Sequence, residues 1–281
     1  MPGMRVSYFP GCTLNTTGKG FDNAVRASAA AVGLELVELP DWNCCGATYP
    51  LIIDNMLELA APAHVLLAAR DQGPALDGGG MVVTTACTTC YNVLKRTNKF
   101  MREHEEERER INAFIEGDYA GEVEVKDILH LLRDDVGFQA IGEKVQSPLT
   151  GLKVAAYYGC MVLRPPNEVA YDDPDHPTSL DDLMVALGAT AIDFPHKNEC
   201  CGAYLAVKAP EVTREMVYTV VKSAQAAGAE AIVTNCPLCQ FNLDKQQAEM
   251  RKTYAGYRPV PVFYFSQLMG LALGLETQAY G

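Results

Sequence analysis

Ten cysteines fall in two sets of five with nearly the same spacing, and this limits the chain more than any other feature. Cys12, Cys44, Cys45, Cys87 and Cys90 space as C-x31-CC-x41-C-x2-C; Cys160, Cys200, Cys201, Cys236 and Cys239 space as C-x39-CC-x34-C-x2-C. The flanks repeat too. YFPGC (Tyr8–Cys12) matches YYGC (Tyr157–Cys160), NCCGA (Asn43–Ala47) matches ECCGA (Glu199–Ala203), and VVTTACTTC (Val82–Cys90) matches AIVTNCPLC (Ala231–Cys239). A repeat of about 150 residues that returns five cysteines in order is the mark of a duplicated unit.

The segments between the cysteines repeat as well. An apolar strand (Arg5–Phe9; Lys153–Tyr158) runs into the first cysteine. A helix follows (Gly20–Val32; Ser179–Leu187), with Gly33 and Gly188 placed to cap it. A second strand (Glu35–Leu39; Thr190–Phe194) leads through Pro40 or Pro195 to the CC pair. Another helix (Ile53–Asp71; Glu211–Ala227) precedes a third strand (Met81–Thr85; Ala231–Thr234), which feeds the C-x2-C turn and a further helix. Alternating strands and helices give the fold class: α/β, two pseudo-symmetric Rossmann-like repeats with parallel sheets. Ligands of such sheets sit beyond the carboxyl ends of the strands. Each cysteine group follows such an end, so five distant thiols converge.

The expected boundary lies near Gln146–Gly151, giving repeats 1–147 and 148–281. Two segments depart from the symmetry: His104–Arg110 (HEEERER) reads as a solvated helix face, and Arg164–Pro177 as a proline-rich, acidic loop insertion.

Composition narrows the functional classes. With 23 basic and 35 acidic residues, a formal charge of −12 argues against nucleic acid, whose phosphates need clustered Lys and Arg. No apolar run approaches the roughly 18 residues of a spanning helix, and the amino terminus has no apolar signal region, so a cytoplasmic protein with no membrane contact is expected. Clustered cysteines there are metal ligands or redox groups rather than disulfides.

Thiolates are soft ligands for iron–sulfur clusters, zinc and copper. C-x2-C alone suggests zinc, and a zinc-scaffolded interaction module is the alternative of another class. Structural zinc takes four ligands, whereas each set offers five cysteines spread over roughly 80 residues. Neighbouring side chains point apart, so a CC pair suits two different metal atoms. Gly46 and Gly202 behind the pairs allow a tight turn and close approach to an inorganic group.

The pattern closely resembles the CCG-domain proteins, specifically the heterodisulfide reductase B subunits, over nearly the whole chain. The x41 gap is longer than usual and implies a loop insertion near Asp77–Gly80. The resemblance implies two noncubane [4Fe–4S] clusters, one on Cys12, Cys44, Cys45, Cys87 and Cys90, the other on Cys160, Cys200, Cys201, Cys236 and Cys239. It implies reduction of the coenzyme M–coenzyme B heterodisulfide between them, one electron from each, within a flavin-based electron-bifurcating complex. The implied partners are a ferredoxin-like C subunit, a flavin-containing A subunit and a hydrogenase or formate dehydrogenase module. No G-x-G-x-x-G run or dense cubane motif occurs here, so no flavin is expected in this chain. Related subunits of non-methanogens act on other disulfide, thiol or sulfur substrates, and that alternative stays open. Arg164 and Lys208 are candidate contacts to an anionic substrate. Tyr49 and Tyr204 are candidate walls. His130 and His196 are left outside the catalytic set.

Overall fold

The computed structural model describes residues 4–47, 56–73, 81–169, 171–276 and 278. The first repeat runs β1 (Met4–Tyr8), α1 (Gly11–Leu14), α2 (Lys19–Val32), β2 (Leu34–Glu38), α3 (Ala60–Gln72), β3 (Val82–Thr85), α4 (Thr88–Glu103), α5 (Glu105–Ile115), β4 (Glu124–Asp127), α6 (Ile128–Leu131) and α7 (Phe138–Gly142). The second runs β5 (Lys153–Tyr157), α8 (Pro166–Val169), α9 (Ser179–Ala186), β6 (Thr190–Ala191), α10 (Pro210–Ala226), β7 (Ala231–Thr234), α11 (Pro237–Thr253), β8 (Val262–Tyr264) and α12 (Phe265–Ala272).

Two four-stranded sheets result, ordered β2-β1-β3-β4 and β6-β5-β7-β8, with every pairing parallel. The α/β class with two Rossmann-like repeats is therefore what the chain adopts. The central strands are covered on both faces, which is why Val83, Ala155, Ile232 and Val233 are fully buried. Gly33 ends α2 at φ 90°, a left-handed conformation that costs glycine little, and Gly188 sits at φ 88° just past the end of α9.

Each repeat sends its last helices to the other. α12 packs on α2, while α6 and α7 pack on α9. The exchange is concrete at Phe21, whose ring stacks on Tyr264 at 4.0 Å, and at Ser28, whose hydroxyl donates to the Ser266 carbonyl at 3.0 Å. One apolar core accordingly runs through both repeats, from Val6 and Phe21 to Leu129, Leu180, Phe265 and Met269.

Several expectations shift. Both sheets carry a fourth strand, β4 and β8, where three were expected. The second strand of the second repeat is only Thr190–Ala191. The helix expected from Ile53 opens as a 3-10 turn at Met56–Leu59 before α3, and its first residues lie outside those described. The insertion near Asp77–Gly80 also lies outside the described residues. Arg164–Pro177 contains α8, which packs on α4. Tyr91 donates to the Val169 carbonyl, Asn92 donates to the carbonyls of Met161 and Arg164 at 2.8 and 2.7 Å, and Arg96 pairs with Glu168 at 2.6 Å. α5 is largely exposed, with Ile111 buried, so HEEERER does form a solvated face.

Candidate metal centres

Backbone turns at the strand ends set the thiols. Behind β1, Phe9 and Pro10 lead to Gly11 at φ 73° and Cys12 in α1. A Cβ on Gly11 would stand 2.9 Å from Cys90 Sγ. Behind β5, Gly159 at φ 65° plays the same part, and a Cβ there would stand 3.1 Å from Cys239 Sγ. Only a residue without a side chain fits where backbone passes this close to sulfur. Cys87 and Cys236 are the residues capping α4 and α11, and Cys90 and Cys239 lie in the first turns. Both C-x2-C pairs therefore sit on a helix amino terminus.

The CC pairs divide between partners. Cys44 Sγ lies 3.5 Å from Cys12 Sγ, and Cys45 Sγ lies 3.4 Å from Cys90 Sγ. The second set repeats the scheme, with Cys160 against Cys200, Cys201 against Cys239, and Cys236 also against Cys239. All ten thiols are free. Separations of 3.4–3.5 Å are far longer than the roughly 2.05 Å of a disulfide bond. They approach the about 3.8 Å between two thiolates on one tetrahedral metal with metal–sulfur bonds near 2.3 Å. Among the described residues no group of three or more His, Cys, Asp or Glu side chains is placed to hold one metal ion; the close sulfur contacts are pairwise, with Cys239 meeting both Cys201 and Cys236. An all-sulfur, pairwise donor set fits a thiolate-ligated group with more than one metal atom.

The thiols are electrostatically unequal. Cys200 is held down to about 6, first by the Cys160 thiol and then, against the cost of burial, by the Gly202 N–H, which donates to its sulfur at 3.3 Å. Cys45 lies near 7 through Cys90, and Cys236 near 7 through Cys239. Partial desolvation, with the neighbouring Cys12 and Cys45 thiols, pushes Cys44 up to about 11. Cys160 is raised through Cys200; Cys90 and Cys239 are raised through Cys45 and Cys201. Cys12 and Cys44 are exposed, and Cys160 and Cys200 partly so, whereas the remaining six are buried. Each set thus has an open side and a closed floor.

The other expected residues fall as follows. Gly46 has φ 89°, and among the described residues nothing lies within 4 Å of where a Cβ would stand. Gly202 at φ 74° is crowded by Met216 Sδ at 3.0 Å and Thr213 Cα at 3.3 Å, both of α10. The glycines where an added Cβ would meet a cysteine sulfur are Gly11 and Gly159, signalled in the sequence by PGC and YGC. Arg164 is exposed and 4.0 Å from Asp175; Lys208 is exposed. Tyr49 lies outside the described residues. Tyr204, half exposed, donates to the Ala47 carbonyl at 2.9 Å, joining the two CC loops. Its hydroxyl is kept protonated by burial and by thiols of both sets, Cys160, Cys236, Cys87 and Cys45. His130 pairs with Asp134 at 2.8 Å, and its ring stacks on Tyr171. Asn242, which donates to the Cys201 carbonyl at 3.1 Å, was not a sequence candidate.

Fold and site together define a duplicated α/β protein that carries five free thiols on the loops and helix starts behind the strands of each sheet. The family model for the cysteine-rich CCG domain matches residues 6–95 and 154–244, and the chain belongs to that family. It is 33% identical over 280 residues to the 8-methylmenaquinol:fumarate reductase membrane anchor subunit of Wolinella succinogenes, covering 99% of this chain and 95% of that protein. It is 28% identical over 284 residues to the B subunit of the ferredoxin/F(420)H(2)-dependent CoB–CoM heterodisulfide reductase of Methanosarcina acetivorans, covering 99% and 92%. A protein of Archaeoglobus profundus, described as like the heterodisulfide reductase B subunit, is likewise 28% identical over 283 residues, with 98% and 92% covered. The resemblance to heterodisulfide reductase B subunits thus spans essentially the whole chain. Among solved structures, a hypothetical protein from Helicobacter pylori superposes with a TM-score of 0.74 at 13% identity. That match covers 100% of this chain and 51% of the other, and it speaks for the fold alone. Among the described residues no helix is long and apolar enough to cross a membrane.

Proposed function

We propose that this chain is the redox subunit of a multisubunit oxidoreductase, that Cys12, Cys44, Cys45, Cys87 and Cys90 hold one noncubane [4Fe–4S] cluster and Cys160, Cys200, Cys201, Cys236 and Cys239 a second, and that a disulfide is reduced between them. The observation that carries this reading is the division of each CC pair: Cys44 faces Cys12 while Cys45 faces Cys90. Five thiols so arranged suit a multi-iron group that needs more ligands than a cubane. When bound, two such groups supply one electron each, which together meet the two-electron demand of a disulfide.

The chain's own residues shape the rest. The exposed sulfurs of Cys12 and Cys44 and the half-buried ones of Cys160 and Cys200 mark the open sides of the sets. Tyr204 bridges the two CC loops through its bond to the Ala47 carbonyl. Arg164 and Lys208, exposed beyond Cys160 and the second CC pair, attract the anionic ends of the substrate. The specific substrate in this reading is the coenzyme M–coenzyme B heterodisulfide. The relatives named as heterodisulfide reductase B subunits support it. Electrons arrive from a ferredoxin-like C subunit and a flavin-containing A subunit in a cytoplasmic bifurcating complex with a hydrogenase or formate dehydrogenase.

The fumarate reductase subunit at 33% identity supports a second reading, in which the same centres pass electrons within a quinol- and fumarate-linked complex. The complex purified without oxygen separates the two. Oxidation of reduced viologen by the heterodisulfide and not by fumarate supports the first, and the converse supports the second. About two zincs per chain and no acid-labile sulfide would overturn both.

A further inference from the structure

Asp127 closes β4 and caps α6, with the Leu129 N–H donating to Oδ1 at 2.9 Å. A capping carboxylate ordinarily faces water; this one is 0% exposed. Its Oδ1 also accepts from Asn235 Nδ2 at 3.3 Å and from the Tyr171 hydroxyl at 3.4 Å. Among the described residues Oδ2 is buried with no partner, as is Asn235 Oδ1. Asn235 belongs to the other repeat and directly precedes Cys236. Burying a carboxyl with one oxygen unsatisfied is costly, so a structural cap alone gives no reason for it.

The duplication supplies an internal control. The residue that ends β8 and caps α12 is Tyr264, where the first repeat has Asp127, and the residue before Cys87 is Ala86, where the second repeat has Asn235. Tyr264 faces the thiols of Cys236 and Cys87 and is held neutral by burial. A carboxyl–amide pair therefore serves only the second set.

We propose that Asp127 is the proton acceptor that compensates charge when the centre on the second thiol set gains an electron. One electron from the redox partner enters that centre as one proton from solvent binds Asp127 Oδ2, so the buried interior gains no net charge. The proposal rests on the redox reading above but not on its substrate. A carboxyl with a nearby charge that becomes more negative binds its proton more tightly. Asp127 is poised for this: burial raises it to about 7, opposed by the Leu129 N–H, Asn235 and Tyr171, with Cys236 adding to the rise. The titratable groups around it are Tyr91 of α4, Tyr171 of the 164–177 segment and Cys236 at the head of α11. Beyond Tyr171 lie His130, stacked on its ring at 4.7 Å, and Arg133, 5.2 Å from its centroid. Asp134, 40% exposed, lies 2.8 Å from His130 Nε2.

The test is a potentiometric EPR titration of the iron-loaded complex between pH 6 and 8.5, in the wild type, Asp127→Asn and Asp127→Ser. Both variants keep an acceptor for the Leu129 N–H. In the wild type, one of the two redox transitions falls in potential as pH rises above neutrality and the other stays level. In both variants neither depends on pH, while iron and sulfide per chain are unchanged. A pH slope that survives in a variant overturns the proposal, and so does loss of iron from both variants, which would make Asp127 purely structural. A wild type without any redox transition overturns the iron–sulfur reading, and this role with it. A wild type that titrates as expected but reduces no disulfide overturns only the substrate.

Discussion

The hydroxyl of Tyr204 donates to the carbonyl of Ala47 at 2.9 Å, so a side chain behind one CC pair fastens the backbone behind the other. The bond ties the loops that carry Cys45 and Cys201. Tyr204→Phe removes it while keeping the ring. One hydrogen bond is worth about 1 kcal/mol, so a melting temperature lower by about 2 °C is expected in thermal unfolding of the loaded protein. Tyr204→Ala also removes the ring and is expected to speed loss of iron to an external chelator. An unchanged chelation rate would show that the rim does not guard the centres.

Gly11 and Gly159 make the same demand on different sets. An alanine at Gly11 takes a left-handed conformation costing about 1–2 kcal/mol and pushes a methyl to 2.9 Å from Cys90 Sγ. Gly11→Ala and Gly159→Ala are each expected to cut iron and acid-labile sulfide to about half, and the double variant to remove nearly all. Full iron in either single variant would show that the sulfur shifts aside.

Thiol reactivity in the metal-free chain follows charge rather than exposure. At pH 7 Cys200, near 6, is mostly thiolate, while Cys44, near 11 and more exposed, is almost wholly thiol. Alkylation by iodoacetamide followed by mass spectrometry is expected to mark Cys200 first. A thiol with a lowered pKa loses its thiolate as pH falls through that value, so labelling of Cys200 drops roughly tenfold between pH 7 and 5. Faster labelling of Cys44 at pH 7 would contradict the order.

The shared core sets a limit on dissection. Residues 1–147 alone would expose the face of α2 that α12 covers, and 148–281 alone the face of α9 that α6 and α7 cover. Each half expressed singly is expected to aggregate, and the two expressed together to copurify as a one-to-one pair. Two soluble, monomeric halves would show that the boundary at 147/148 separates independent domains.

Much of this arrangement is legible in the sequence because it is local. Strand, glycine and cysteine follow one another within a few residues, so the parallel strands and the loops that carry the thiols can be read from YFPGC and YYGC. β4 and β8 escape because they are four and three residues long and no cysteine follows them, though the alternation in Glu122–Val125 marks the first. The segment 164–177 reads as loop from its prolines, yet Asn92 and Arg96, about 70 residues earlier, fix it in place. Asp127 and Asn235 are separated by 108 residues and meet across the repeats, so no local pattern reveals them.

The traded helices also bear on how such a chain comes to exist. A single repeat has its α2-type face and its last helix on one molecule, each fitting the other molecule's counterpart, so two free copies are self-complementary. Joining them head to tail makes that association independent of concentration. It also ends the requirement that both copies be identical. One half is then able to keep a tyrosine at the close of its last strand while the other installs an acid, an asymmetry that a symmetric pair encoded by one gene has no means to express.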